Sequence, residues 1–195
     1  FVVVLTVILI FIVSRQFFLT FASDYDLLGG FVKFFMLASI GDFIGFRLKK
    51  GYWAIPHNMF YKAIVWGIIG IVVVLMFKIF PVGVMSLQEE GLLPFYENKY
   101  AHAFFTSLIM NVIFAPTMMF AHRISDTYLD EKGSLSDAIN KIDWAHFVKF
   151  VLFGTIPLFW IPAHTITFII PEEYRIIMAA VLGIFLGLLL RIFKK

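Results

Sequence analysis

An aspartate, an asparagine and a histidine interrupt apolar runs of this chain, at Asp42, Asn111 and His164. Such side chains are costly at membrane depth unless they are paired, and they mark a functional site by default. Asp42 has Arg47, Lys49 and Lys50 just downstream. It can pair with them near the membrane surface, or it can set the field at the mouth of a solute path. Asn111 precedes Pro116 in the middle of its run and needs a partner on another helix or water in a cavity. The densest polar cluster is Thr155, Pro157, Trp160, Pro162, His164, Thr165 and Thr167. Its two prolines break regular helix bonding, and irregular backbone at that depth is tolerated only against protein or a water-filled cavity. A kinked packing helix and a broken-helix transport site both fit this pattern.

Other chemistries lack their residues. The chain has no cysteine, so disulfides, thiolate metal ligands and a cysteine nucleophile are excluded. Its histidines, His57, His102, His122, His146 and His164, fall in separate segments with no HxxxH or HExxH spacing, so no metal site is expected. There is no GxSxG and no phosphate loop, and the adjacent Glu89–Glu90 and Glu172–Glu173 do not share a helix face. We therefore expect no enzyme activity and no cofactor. The net charge is +3, and most basic residues flank apolar blocks, which suits lipid headgroups rather than nucleic acid.

The elements that must hold these residues are read from composition. Hydrophobic residues make up 61% of the 195 and the mean hydropathy is +0.92, well above the roughly 45–50% of soluble domains. The apolar runs lack strict alternation, which argues for helices rather than barrel strands. The expected fold is all-α: a single polytopic integral membrane domain over 1–195, with five to six transmembrane helices, one of them broken by proline. The expected spans are 1–21, 27–46, 63–80, 101–121, 144–170 and 174–193. The first starts mid-stride at Phe1 and is read as incomplete or processed. The 81–100 stretch reads as a loop with a short interfacial helix, and 122–143 as the most polar connection, turning at Gly133-Ser134.

Small residues recur four apart at Gly41 and Gly45, and at Ala179, Gly183 and Gly187. This spacing brings helix backbones close, within one bundle or in a homo-oligomer or larger membrane complex. Arg47, Lys49, Lys50, Lys62, Arg123, Lys132, Lys141, Arg191, Lys194 and Lys195 fall on one side of the six spans. Arg15, Lys78, Lys99 and Arg175 fall on the other. The positive-inside rule then places both termini on the cytoplasmic side. No amphipathic Arg-rich transit segment is visible, which favours a bacterial plasma membrane over an organelle membrane.

The segment from Trp160 through Pro162, His164, Thr167, Phe168 and Pro171 to Arg175 resembles the C-terminal signature of the Mpv/PMP family. Those are small integral proteins of peroxisomal and inner mitochondrial membranes, with prokaryotic look-alikes. Trp160, Phe168, Pro171 and Arg175 match. His164 stands where the family has Gln, Thr167 where it has Asn, the first proline is displaced by one, and one residue is missing before Pro171. Gly41-Asp42 and Phe114-Ala115-Pro116 resemble the family's Gly-Asp and Phe-Ala-Pro. The resemblance spans 41–191 and implies a compact helical bundle that conducts small solutes or ions. On that basis the expected function is a small channel or pore-like protein in a lipid bilayer. Asp42, Asn111, Thr155, His164, Thr167 and Arg175 would line its path. The alternative is a non-catalytic accessory or scaffold subunit of a larger membrane complex.

Overall fold

A computed structural model describes residues 26–131 and 133–193. The described residues form helices without strands: α1 (Asp26–Lys50), α2 (Met59–Glu89), α3 (Lys99–Asp130), α4 (Leu135–Lys141), α5 (Trp144–His146), a π-helical segment π1 (Phe147–Trp160), α6 (Ile161–Ile169) and α7 (Glu172–Phe193). Among the described residues four helices are long and apolar enough to cross a membrane: α1, α2, α3 and the continuous rod Trp144–Ile169. This is fewer than the five to six expected. The expected first span, 1–21, lies outside the described residues, while α7 covers the stretch expected as the sixth.

Two connections differ from expectation. Helix α2 does not stop near 80; it continues through Pro81 to Glu89. A proline late in a long apolar helix removes one backbone bond without ending the helix. Likewise α3 runs to Asp130 and α4 covers Leu135–Lys141, so most of the polar stretch 122–143 is helical. The remaining turn at 90–98 is tied by Gln88, whose Nε2 donates to the carbonyls of Pro94 (3.1 Å) and Phe95 (3.2 Å). Its Oε1 lies 3.1 Å from His102 Nδ1, linking α2 to α3. Gly91, Phe95 and Glu97 take positive φ there, which reverses the chain in few residues.

Neighbouring helices close on themselves. Helix α1 packs on α2, α2 on α3, α3 on α6, α6 on α7, and α7 back on α1. The interior of this five-helix ring is filled by Phe34, Val73, Phe77, Met110, Phe168 and Ala179. A second apolar cluster lies where π1 meets α3, around Ala115, Met119, Phe147 and Ile156. The α1–α2 contact is closest at its glycines: a Cβ on Gly70 would meet the Gly30 carbonyl oxygen at 2.5 Å, and one on Gly67 would meet the Phe31 ring. Only a missing side chain lets the two backbones approach this far.

Candidate functional site

The irregular helix positions the site. Pro157 has no N–H to give to a helical carbonyl, and around it the chain widens into fourteen π-helical residues before tightening into α6. π-Turns are rare and concentrate at functional sites. At the junction the Ile161 carbonyl accepts the hydroxyls of Thr165 (2.7 Å, its own helix) and of Ser107 on α3 (2.7 Å). The Ser107 bond clamps α3 to the point where the helix changes pitch. One turn further along each helix, Asn111 meets His164.

Asn111 Nδ2 donates to the Ser107 carbonyl (2.8 Å) and lies 3.3 Å from the Ser107 hydroxyl. His164 Nδ1 sits 3.0 Å from Asn111 Nδ2 and 3.2 Å from Asn111 Oδ1. The amide presents either a donor or an acceptor to the same ring nitrogen, so the pair is satisfiable with the imidazole proton on either nitrogen. The imidazole is held in place on both sides. Trp160 stacks on it at 5.2 Å, and the edge of Phe77 from α2 meets it at 5.7 Å. Asn111, Ser107, Thr106 and Thr167 are fully buried at 0% exposure, and His164 is 9% exposed. Thr106 Oγ1 and Trp160 Nε1 are buried without a hydrogen-bond partner among the described residues. Each such group costs about 1–3 kcal/mol, and Trp160, stacked on His164, brings one of them against the pair.

The six residues expected to line a path are not all brought together. Asn111 and His164 are hydrogen-bonded, and Thr167 lies one turn beyond His164 with its hydroxyl donated to the Ala163 carbonyl (2.9 Å). Thr155 is buried on π1 and donates to the Val151 carbonyl of its own helix (2.6 Å). Arg175 holds the end of α6: its Nε donates to the Ile170 carbonyl (3.2 Å), its Nη2 to the Phe168 carbonyl (3.1 Å), and its guanidinium lies 5.7 Å from the Phe168 ring centre. Asp42 belongs to another seam. It is half-buried on α1, whose main packing partners are α2 and α7. Of the packing residues, Gly41 faces Ile184 of α7, Gly45 and Ala179 are buried, and Gly183 has open space where a Cβ would stand. Gly187 lies within α7.

Composition and spacing did not single out several residues of the site. Ser107 and Thr106 are small hydroxyl residues, common in membrane helices and inconspicuous singly. A second polar group also went unmarked, at the opposite end of α3. There Lys62 bridges Asp126 (3.1 Å) and Asp130 (2.8 Å), and Asn58 donates to the Leu129 carbonyl. His122 lies against Trp66 at 4.3 Å beside them, with Nδ1 buried and unpaired among the described residues. The i, i+4 spacing of His122, Asp126 and Asp130 was the available signal. No group of His, Asp and Glu able to hold a metal occurs among the described residues. No protein-family model, no curated protein and no solved structure matches this chain.

Proposed function

We propose that this protein is a small, non-enzymatic membrane channel for small polar solutes or ions, and that the Asn111–His164 pair is its closed constriction. One observation carries the reading: within a ring of five helices lies a buried, hydrogen-bonded amide–imidazole pair, with the unpartnered indole N–H of Trp160 on the ring stacked against it. Polar groups at membrane depth that serve only packing need no surplus donors or acceptors. The prolines and the widened π1 segment supply a compliant element next to the pair, and straightening π1 would draw His164 away from Asn111. In that open form Asn111, Thr106 and His164 would replace part of a solute's hydration shell. The resemblance to the Mpv/PMP family points the same way. The proposal keeps the six-span topology expected from the sequence, with both termini at the cytoplasmic end of a bacterial plasma membrane.

The test is flux into proteoliposomes that hold the full chain, set against empty liposomes, with Asn111→Leu and His164→Leu as variants. The channel reading expects solute or ion passage above background, with selectivity or rate altered in both variants. Passage no greater than in empty liposomes, from a protein that keeps its helical content, would sink it. The accessory-subunit reading then gains weight. Its supporting observation is Gly183, a small residue whose side-chain space on α7 is open, and reproducible co-purification with one partner would favour it.

A further inference from the structure

The C-terminal end of α1 and the turn after it concentrate three basic residues, Arg47, Lys49 and Lys50, within four positions. Among the described residues at this end, Lys62 is paired with Asp126 and Asp130, and Lys141 with Glu131. Arg47, Lys49 and Lys50 have no carboxylate within salt-bridge distance among the described residues, and Lys49 and Lys50 are exposed. The nearest acid in sequence, Asp42, is half-buried further into the span. Gly51, at φ +83°, turns the chain back along α1. That turn lays Trp53 on Phe43 at 4.8 Å and Tyr52 edge-on to Phe46 at 5.7 Å. Trp53 remains 58% and Tyr52 59% exposed, and the Arg47 guanidinium sits 5.8 Å from the Trp53 ring centre. Exposed Trp and Tyr at the end of an apolar helix sit at headgroup depth. Three unneutralised cations beside them are held where lipid phosphates lie.

We propose that this corner is a docking site for an anionic phospholipid. Arg47, Lys49 and Lys50 would take the headgroup phosphate, and the Trp53 and Tyr52 rings would rest on the adjoining glycerol and upper acyl region. Lys49, Lys50, Tyr52 and Trp53 are all exposed, so the site is open rather than a closed cradle of donors. That geometry suits a lipid already confined to the surface and not a free anion that must be captured from solution. The inference is independent of solute passage.

The full chain is reconstituted in phosphatidylcholine vesicles that contain, at equal mole fraction, either brominated phosphatidylglycerol or brominated phosphatidylcholine. Bromine quenches nearby indole fluorescence, and the Trp53 contribution is the difference between wild type and Trp53→Phe. The expected result is stronger quenching of Trp53 by the brominated anionic lipid. The preference should fall about five-fold per charge removed in Lys49→Gln with Lys50→Gln, and should survive in Lys49→Arg with Lys50→Arg. Equal quenching by the two lipids in the wild type overturns the proposal, as does a preference that persists in the Gln variant. Loss of the preference on adding inorganic phosphate at constant ionic strength also overturns it, because the site would then belong to a soluble anion.

Discussion

Two helix seams in this bundle hold together by opposite means. Between α1 and α2 the contact is dry and close, with Gly30 and Gly70 backbone to backbone and Phe31 laid over Gly67. Between α3 and α6 the contact runs through polar groups: Ser107 on the Ile161 carbonyl and Asn111 on His164. Lipid is as apolar as leucine, so burial itself drives neither seam. The first gains dispersion by removing side chains. The second gains hydrogen bonds whose alternative is an unmet polar group in hydrocarbon. A glycine seam has one arrangement, whereas an amide–imidazole pair has two proton placements and can be parted and remade. The fixed seam suits a scaffold and the remakeable one suits a gate.

The largest expected effect breaks the dry seam. In Gly70→Ala the new Cβ meets the Gly30 carbonyl oxygen at 2.5 Å and the Phe34 Cβ at 2.8 Å. The obstacle is backbone, which has no rotamer to move into, so α1 and α2 must separate. Overpacking of this kind costs about 1–3 kcal/mol, and the variant should melt well below wild type in thermal unfolding in detergent. Gly183→Ala serves as control, because its Cβ enters open space, and should leave the melting temperature unchanged. Equal loss in both variants would mean that the cost is generic to glycine replacement and that the α1–α2 approach is not what holds the seam.

The second test parts the polar seam. Asn111→Leu leaves His164 without its amide, and His164→Leu leaves Asn111 with only its own helix. Each single change should cost about 1–3 kcal/mol by orphaning a buried group. The double variant should cost clearly less than the sum, because no group is then left unpaired. Unfolding in mixed detergent of the four proteins checks this. Strict additivity would show that the two side chains are independent and would remove the constriction from the channel reading.

The two seams also differ in how far they could be read in advance. Asn111 and His164 stand out because each is polar inside an apolar run. Their meeting does not, because they are 53 residues apart and nothing local specifies which helices adjoin. Gly30, Gly67 and Gly70 do not stand out in the sequence, because they lack the four-residue spacing of Gly41 and Gly45, and Gly67 and Gly70 are three apart. Three-residue spacing also places two glycines on one helix face. The helical class was legible from unbroken apolar runs. The length of α2 was not, because Pro81 reads as a stop in isolation and as an interior residue once neighbouring helices cover the bundle. The disruption around Pro157 was legible, but its resolution into a π-helix was not. Proline forbids one bond without specifying how the remaining bonds rearrange.

The smallest expected effect sharpens the comparison by moving the same kind of bond into water. Ser134 caps α4: its backbone N–H and its hydroxyl each lie 2.8 Å from the Asp137 carboxylate, and its oxygen accepts from the Asp137 N–H at 3.2 Å. The Ser134 backbone bond, helped by the hydroxyl, holds the Asp137 carboxyl below the usual carboxylate range. A carboxyl lowered on folding stabilises the fold above its unfolded value, and that contribution is lost as pH falls through the lowered one. Amide exchange of α4, corrected for the intrinsic rate, should therefore show protection that is constant at neutral pH and drops only on acidification below the ordinary carboxylate range. Ser134→Ala should lower that protection by about 1 kcal/mol at neutral pH and weaken the acid dependence without abolishing it, because the backbone N–H that contributes most remains. Neither change should alter the melting of the bundle, because solvent takes up the freed groups. If Ser134→Ala instead destabilised the bundle as much as Asn111→Leu, then the penalty at Asn111 would owe nothing to its surroundings. Burial would then not be what makes the polar seam costly to part.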